Sequence, residues 1–120
     1  MCNKIEEENE LNRVAMQIIL NAGDARVFVK ESLDKMKSYD FVIAKEKLDI
    51  AQDYIKKAHA FQTGIIQGEA QGEKYNYSLL FNHAQDTLMT IYSELNIAKQ
   101  LLGIFESLND RLIKIENNMK

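Results

Sequence analysis

The sequence predicts an all-α protein, an antiparallel three-helix bundle, and three observations carry that reading. Proline is absent, glycine occurs only five times and 46% of the residues are apolar, a mixture that favours long uninterrupted helices over a turn-rich β fold. Apolar residues recur at spacings of three and four along three successive stretches, the period of a helix with one buried face. The breaks between the stretches carry residues that start and stop helices. At 120 residues the chain makes one domain, long enough to bury roughly two-thirds of its unfolded surface in a single core.

Residues 1–9 are polar, with Glu6, Glu7 and Glu8 in a row, and read as a flexible acidic extension fraying into a helix start. The bundle domain occupies residues 10–118. Helix one follows from Leu11, Val14, Ile18, Ala22, Ala25, Val29, Leu33 and Met36. Ser38-Tyr39-Asp40 interrupts it, and Asp40 is placed to cap the next helix by accepting a bond from a free backbone N–H. Helix two carries Phe41, Ala44, Leu48, Ala51, Ile55, Ala58, Phe61 or Gln62, and Ile65. Its alanines allow a neighbouring helix to come close. Gly64, Gly68 and Gly72 weaken its end, each by roughly 1 kcal/mol relative to alanine. Residues 72–76 read as a loop, with Asn76 or Ser78 capping helix three. That helix carries Leu80, Ala84, Leu88, Ile91, Leu95, Ala98, Leu102 and Phe105, fading through Leu108, Leu112 and Ile115. Helices of about 30 residues, each roughly 45 Å long, are expected.

Several function classes are excluded by composition. A net charge of −3 leaves no basic stripe for nucleic acid. The opening MCNKIEEENE lacks the apolar core of a signal peptide, and no run of apolar residues is long enough to span a bilayer. The single Cys2 cannot form an internal disulfide, which suits a reducing compartment. A soluble, cytoplasmic protein is expected. The glycines at 64, 68 and 72 lie outside any strand–loop–helix context, so no nucleotide loop is present, and zinc-type ligand sets are absent.

On a helical wheel, helix three has a second face roughly 120–130° from the core stripe. It holds Leu79, His83, Asp86, Thr90, Ile97, Leu101, Ile104 and Leu108. Such a wide stripe is either buried within one subunit or meets a copy of itself, and in a three-helix protein short of partners the second is the more economical, so a homo-oligomer is expected. If helix three lines a symmetry axis, the Asp86 carboxylates approach one another and must protonate, splay apart or bind a cation. Oxygen ligands suit a hard ion such as Mg²⁺.

His83 and Asp86 stand one turn apart in "FNHAQDTLMT" (81–90). A lone helical histidine is more often structural than reactive. Chemically, however, an imidazole is substantially unprotonated at neutral pH and can attack a phosphoryl group to form an N–P bond. Asp86 at i+3 reaches the same side, though its charge repels phosphate unless a metal neutralises it. His59, beside Ala58 on helix two, reads as structural or surface.

Three segments in order resemble one family: "NAGDAR" (21–26), "AHAFQTGIIQGEAQGE" (58–73) and "YSLLFNHAQDTLMT" (77–90). They are similar to the lactose/cellobiose-type enzyme IIA of the bacterial phosphoenolpyruvate-dependent sugar phosphotransferase system, and the likeness runs from about Leu11 onward. The resemblance implies three-helix subunits assembled as a homotrimer through the third helix. It implies that a phosphoryl group passes from the phosphocarrier HPr to His83 and then to a cysteine of a cognate enzyme IIB. It also implies that Asp86 holds one metal ion, Mg²⁺, on the trimer axis. Gln85 falls within the same motif, with at most a supporting role. Family members often carry a second histidine directly after "HAQD", where this chain has Thr87, so no auxiliary histidine is expected there. The acidic start of the chain lies outside the resemblance. Two other classes stand beside this one: a helical adaptor bundle without chemistry, and a two-component histidine phosphotransfer domain. The latter usually carries a lysine and glycine just after its histidine, and "HAQDTLM" has neither. The transported sugar is not legible in the sequence.

Overall fold

A computed structural model describes residues 2–120, with side chains from Asn9 onward. It consists of α1 (Cys2–Lys37), α2 (Phe41–Ala70) and α3 (Leu79–Asn118), with no strand among the described residues. The three helices run up, down and up. The expectation of a flexible extension over residues 1–9 falls, apart from Asn9, on side chains outside the described residues.

One device closes both α1 and α2. The Asp40 N–H donates to the Lys35 carbonyl at 3.0 Å and the Tyr39 N–H to that of Met36 at 3.1 Å, which is the Schellman pattern. The residue at its pivot, Tyr39, sits in the left-handed region with φ of 59°. At the end of α2 the Glu73 N–H reaches Gly68 at 3.0 Å and the Gly72 N–H reaches Glu69 at 3.1 Å, with Gly72 at φ of 98° supplying the pivot. Glycine takes that backbone freely, whereas tyrosine pays roughly 1–2 kcal/mol for it. Helix starts are capped by side chains: Asp40 accepts from the Ile43 N–H at 3.2 Å and Ser78 from the Phe81 N–H at 3.1 Å. Ser78, rather than Asn76, is thus the cap of α3, and the connection spans residues 71–78.

The core divides its labour between small and large residues. Ala15, Ala22 and Ala25 of α1 and Ala44, Ala51 and Ala58 of α2 are all completely buried, small side chains that allow neighbouring helices to approach closely. α3 fills the remaining space with Phe81, Leu88, Ile91, Leu95 and Leu102. The one buried polar side chain on the described surface of the core, Ser32, donates its hydroxyl to the Ala44 carbonyl at 2.7 Å, so its desolvation is compensated. Several expected core positions shift: Phe41 and Phe61 are only half-buried, and Phe105, beyond the end of the core, is exposed. Phe81 is buried where Leu80 was expected, because the sequence 81, 84, 88, 91, 95, 98, 102 keeps a strict three–four alternation and Leu80 lies one step off it. Leu33 is only half-buried.

Helix lengths of 36, 30 and 40 residues exceed expectation for α1 and α3. The molecule measures 78 × 22 × 18 Å. Its core ends at Leu102, and α3 continues from Gly103 to Asn118 without a buried residue.

Candidate functional site

Ser78 fixes where α3 begins, and that places His83 in the second turn of the helix. Both His83 and Asp86 are exposed, on the second face of α3 and off its core seam. They share that face, but the side-chain hydrogen bonds around them go elsewhere. The Thr87 hydroxyl donates to the His83 carbonyl at 2.8 Å, a bond back to its own helix that occupies the residue standing where the family often has histidine. Gln85 turns toward α2, where its side-chain oxygen accepts from Gln62 Nε2 at 3.1 Å. Two of the segments singled out by sequence, "FQTG" and "HAQD", therefore meet across α2 and α3. Gln85 braces the turn that carries His83 and leaves the imidazole itself free toward solvent.

His59 has a different setting. It is half-buried, with its ring edge-on to Tyr92 at 5.2 Å between centroids. That is a packing role, in keeping with the sequence reading.

The described residues of one chain do not by themselves form a metal site. Among the described residues no group of three or more His, Cys, Asp or Glu side chains converges, and Asp86 offers a single carboxylate to solvent. A divalent cation needs several oxygen ligands, so the expected Mg²⁺ fits only if copies of the chain bring their Asp86 side chains together.

Further along α3, Ile97 (57% exposed) and Ile104 continue the same uncovered face, with Leu101 half-buried beside them. Between α1 and α3 runs an apolar groove of about 320 Å³ lined by Val29, Leu33, Ile97 and Leu101. At its edge Arg26 and Glu94 form a two-pronged pair, Nε to Oε2 at 2.9 Å and Nη2 to Oε1 at 2.8 Å. The hydrogen bond to Glu94 holds the Arg26 proton more firmly; burial opposes it to a smaller degree, and the Glu94 charge adds a lesser contribution in the same direction as the bond. This pair was not foreseen. Arg26 stands in the "NAGDAR" segment, but nothing in the local sequence points from it to a partner 68 residues away.

No helix among the described residues is long and apolar enough to cross a membrane.

The fold is an all-helical bundle with a solvent-facing histidine in the second turn of its last helix, and comparison with known proteins gives its family. Residues 13–106 match the family model described as "PTS system, Lactose/Cellobiose specific IIA subunit". The lichenan-specific phosphotransferase enzyme IIA component of Bacillus subtilis is 36% identical over 102 residues, covering 85% of this chain and 93% of the relative. The crystal structure of PtcA from S. mutans superposes with a TM-score of 0.80 at 37% identity, covering 82% of this chain and 96% of that one. The IIA(Chitobiose) of the Escherichia coli IIA(Chitobiose)–HPr complex superposes at 0.72 with 34% identity, covering 82% and 96%. The chain belongs to the lactose/cellobiose-specific IIA family of the sugar phosphotransferase system.

Proposed function

We propose that this protein is a cytoplasmic phosphocarrier that accepts a phosphoryl group on His83 from phosphorylated HPr and delivers it to the cysteine of a cognate enzyme IIB. The single observation that carries the reading is the exposed His83, held in a capped helix by a brace that does not consume its ring. An unprotonated ring nitrogen attacks phosphorus as the bond from phosphorus to the HPr donor breaks, and HPr leaves with the electron pair of that bond. In the second step the IIB thiolate attacks the same phosphorus, the N–P bond breaks and the imidazole is regenerated. Exposure on a convex helix face lets two different partners reach the same nitrogen in turn. HPr is the named partner of the E. coli relative in its solved complex, and this supports it as the donor here.

The uncovered face of α3 supports assembly as a homotrimer, with Ile97, Leu101 and Ile104 at the contact. In that assembly three Asp86 side chains would supply the ligands for one Mg²⁺ on the axis, whose charge offsets their mutual repulsion and lowers the cost of bringing a phosphate close. Relatives are named for lichenan, N,N'-diacetylchitobiose, lactose and cellobiose. These names support a di- or oligosaccharide as the cargo of the transport system that this protein serves. Family membership favours this reading over an adaptor bundle or a two-component phosphotransfer domain.

The test is phosphoryl transfer in vitro. With phosphorylated HPr the protein acquires one acid-labile phosphate per chain, His59→Ala still acquires it, and His83→Ala does not. Label that persists in His83→Ala overturns the assignment.

A further inference from the structure

We infer that residues 101–119, the end of α3 and its cap, form a parallel, in-register coiled-coil stalk with the same segment of the other copies. The stalk prolongs the trimer beyond the bundle that the family shares; the inference rests on the homotrimer reading above. The family match stops at residue 106 and the core stops at Leu102, yet α3 runs on to Asn118. Leu101, Phe105, Leu108, Leu112, Ile115 and Met119 follow one another at spacings of four, three, four, three and four, an unbroken heptad seam. From Phe105 onward every one of them is exposed, Ile115 at 55%. A protruding amphipathic helix of this kind cannot cover its own seam.

The flanking charges indicate a second copy as the occupant, and they indicate its direction. With Phe105, Leu112 and Met119 at the a positions, Arg111 falls at g and Glu116 at the following e. In a parallel coil the g residue of one helix meets the next e residue of its neighbour, so every Arg111 faces a Glu116 of another copy. An antiparallel coil would instead set Arg111 against Arg111 and Glu116 against Glu116. Arg111 and Glu116 are five residues apart, on different sides of their own helix, so the pair works only between chains. Leu112 at a with Ile115 at d is also a combination that favours more than two strands. The seam points in nearly the same direction around α3 as Leu79, His83, Asp86, Ile97 and Leu101 (roughly within 40° by helical geometry), so stalk and bundle contacts lie on one line. α1 and α2 turn back at residues 38–40 and leave that line unobstructed.

A charge-reversal cycle on the full chain, read by sedimentation over a dilution series, tests this. Arg111→Glu and Glu116→Arg should each raise the concentration of half-dissociation several-fold, as expected for about three surface pairs turned repulsive, and the two substitutions together should bring it back. Leu112→Glu should shift it further. Helical circular dichroism at high concentration checks that each variant folds. A double variant as weak as either single one overturns the parallel register. If Ile97→Glu dissociates the assembly while Leu112→Glu does not, the stalk is overturned and the trimer reading stands. A wild-type protein that is monomeric at every concentration overturns both, whatever the outcome of labelling at His83.

Discussion

At Gly68 the end of α2 is covered by side chains: a Cβ would come within 2.7 Å of both the Glu73 carboxylate and the Tyr75 hydroxyl, so those groups would have to move aside. Those two groups close over the helix end, with Tyr75 donating to Glu73 Oε2 at 2.5 Å. The hydrogen bond to the carboxylate, with smaller contributions from burial and neighbouring acids, pushes the Tyr75 phenol up to about 12. Its proton is therefore held more tightly in the folded state than in the unfolded chain, where a phenol titrates near ~10. The stabilisation from this bond is complete below pH ~10 and is lost as pH rises from there through the folded value. Because the pair is exposed to solvent, its effect on stability is small, and the titration itself is the better measure. In Glu73→Gln the acceptor is neutral, so the ultraviolet titration of Tyr75 should fall back toward ~10. A midpoint that stays near the wild-type value would show that Glu73 is not its cause.

α3 shows what a single element contributes when it has two working faces. Its inner face is a seam of seven buried residues, with Leu95 completely enclosed, so Leu95→Ala should remove about 3 kcal/mol through lost transfer energy and a residual cavity. Urea denaturation should show a lower midpoint with an unchanged slope; a shift below ~1 kcal/mol would mean the helices close over the gap. The outer face, with His83 and Asp86, was legible from the wheel because helical period is local information. The cap Asp40 was legible for the same reason, since a cap is set by residues within one turn, and for α3 the choice was narrowed to Asn76 or Ser78, of which the structure uses Ser78. What the sequence did not disclose are pairings across distance. The Arg26–Glu94 pair joins α1 to α3, and Gln62 meets Gln85 across α2 and α3; each depends on how the helices lie against one another. The Leu80–Phe81 exchange is a smaller instance, a phase decided by the packed seam rather than by the apolar run alone. The site residues themselves came from two sources: the face from periodicity, and the chemistry from the resemblance that family membership now supports.

At the scale of the molecule the single chain leaves an apolar face of α3 uncovered. Its radius of gyration is 19.8 Å, against about 14 Å for a compact chain of this length, and the excess is helix that projects past the core with its apolar side in solvent. Three copies joined along α3 would cover that side and would also bring the Asp86 carboxylates together near the axis. Bringing like charges together opposes assembly unless a cation joins them, and the consequence can be measured. In the presence of Mg²⁺ the wild-type trimer should melt several degrees higher than after EDTA treatment, because the ion binds only the assembled form and stabilises it by mass action. Asp86→Asn removes both the repulsion and the ligands. Its melting temperature should therefore be indifferent to EDTA and should equal or exceed that of the wild type stripped of metal. Elemental analysis should find one divalent ion per three wild-type chains and none in the variant. A wild-type melting temperature unmoved by EDTA, with no metal bound, would show that the three carboxylates splay into solvent and that the axis is held by its apolar contacts alone.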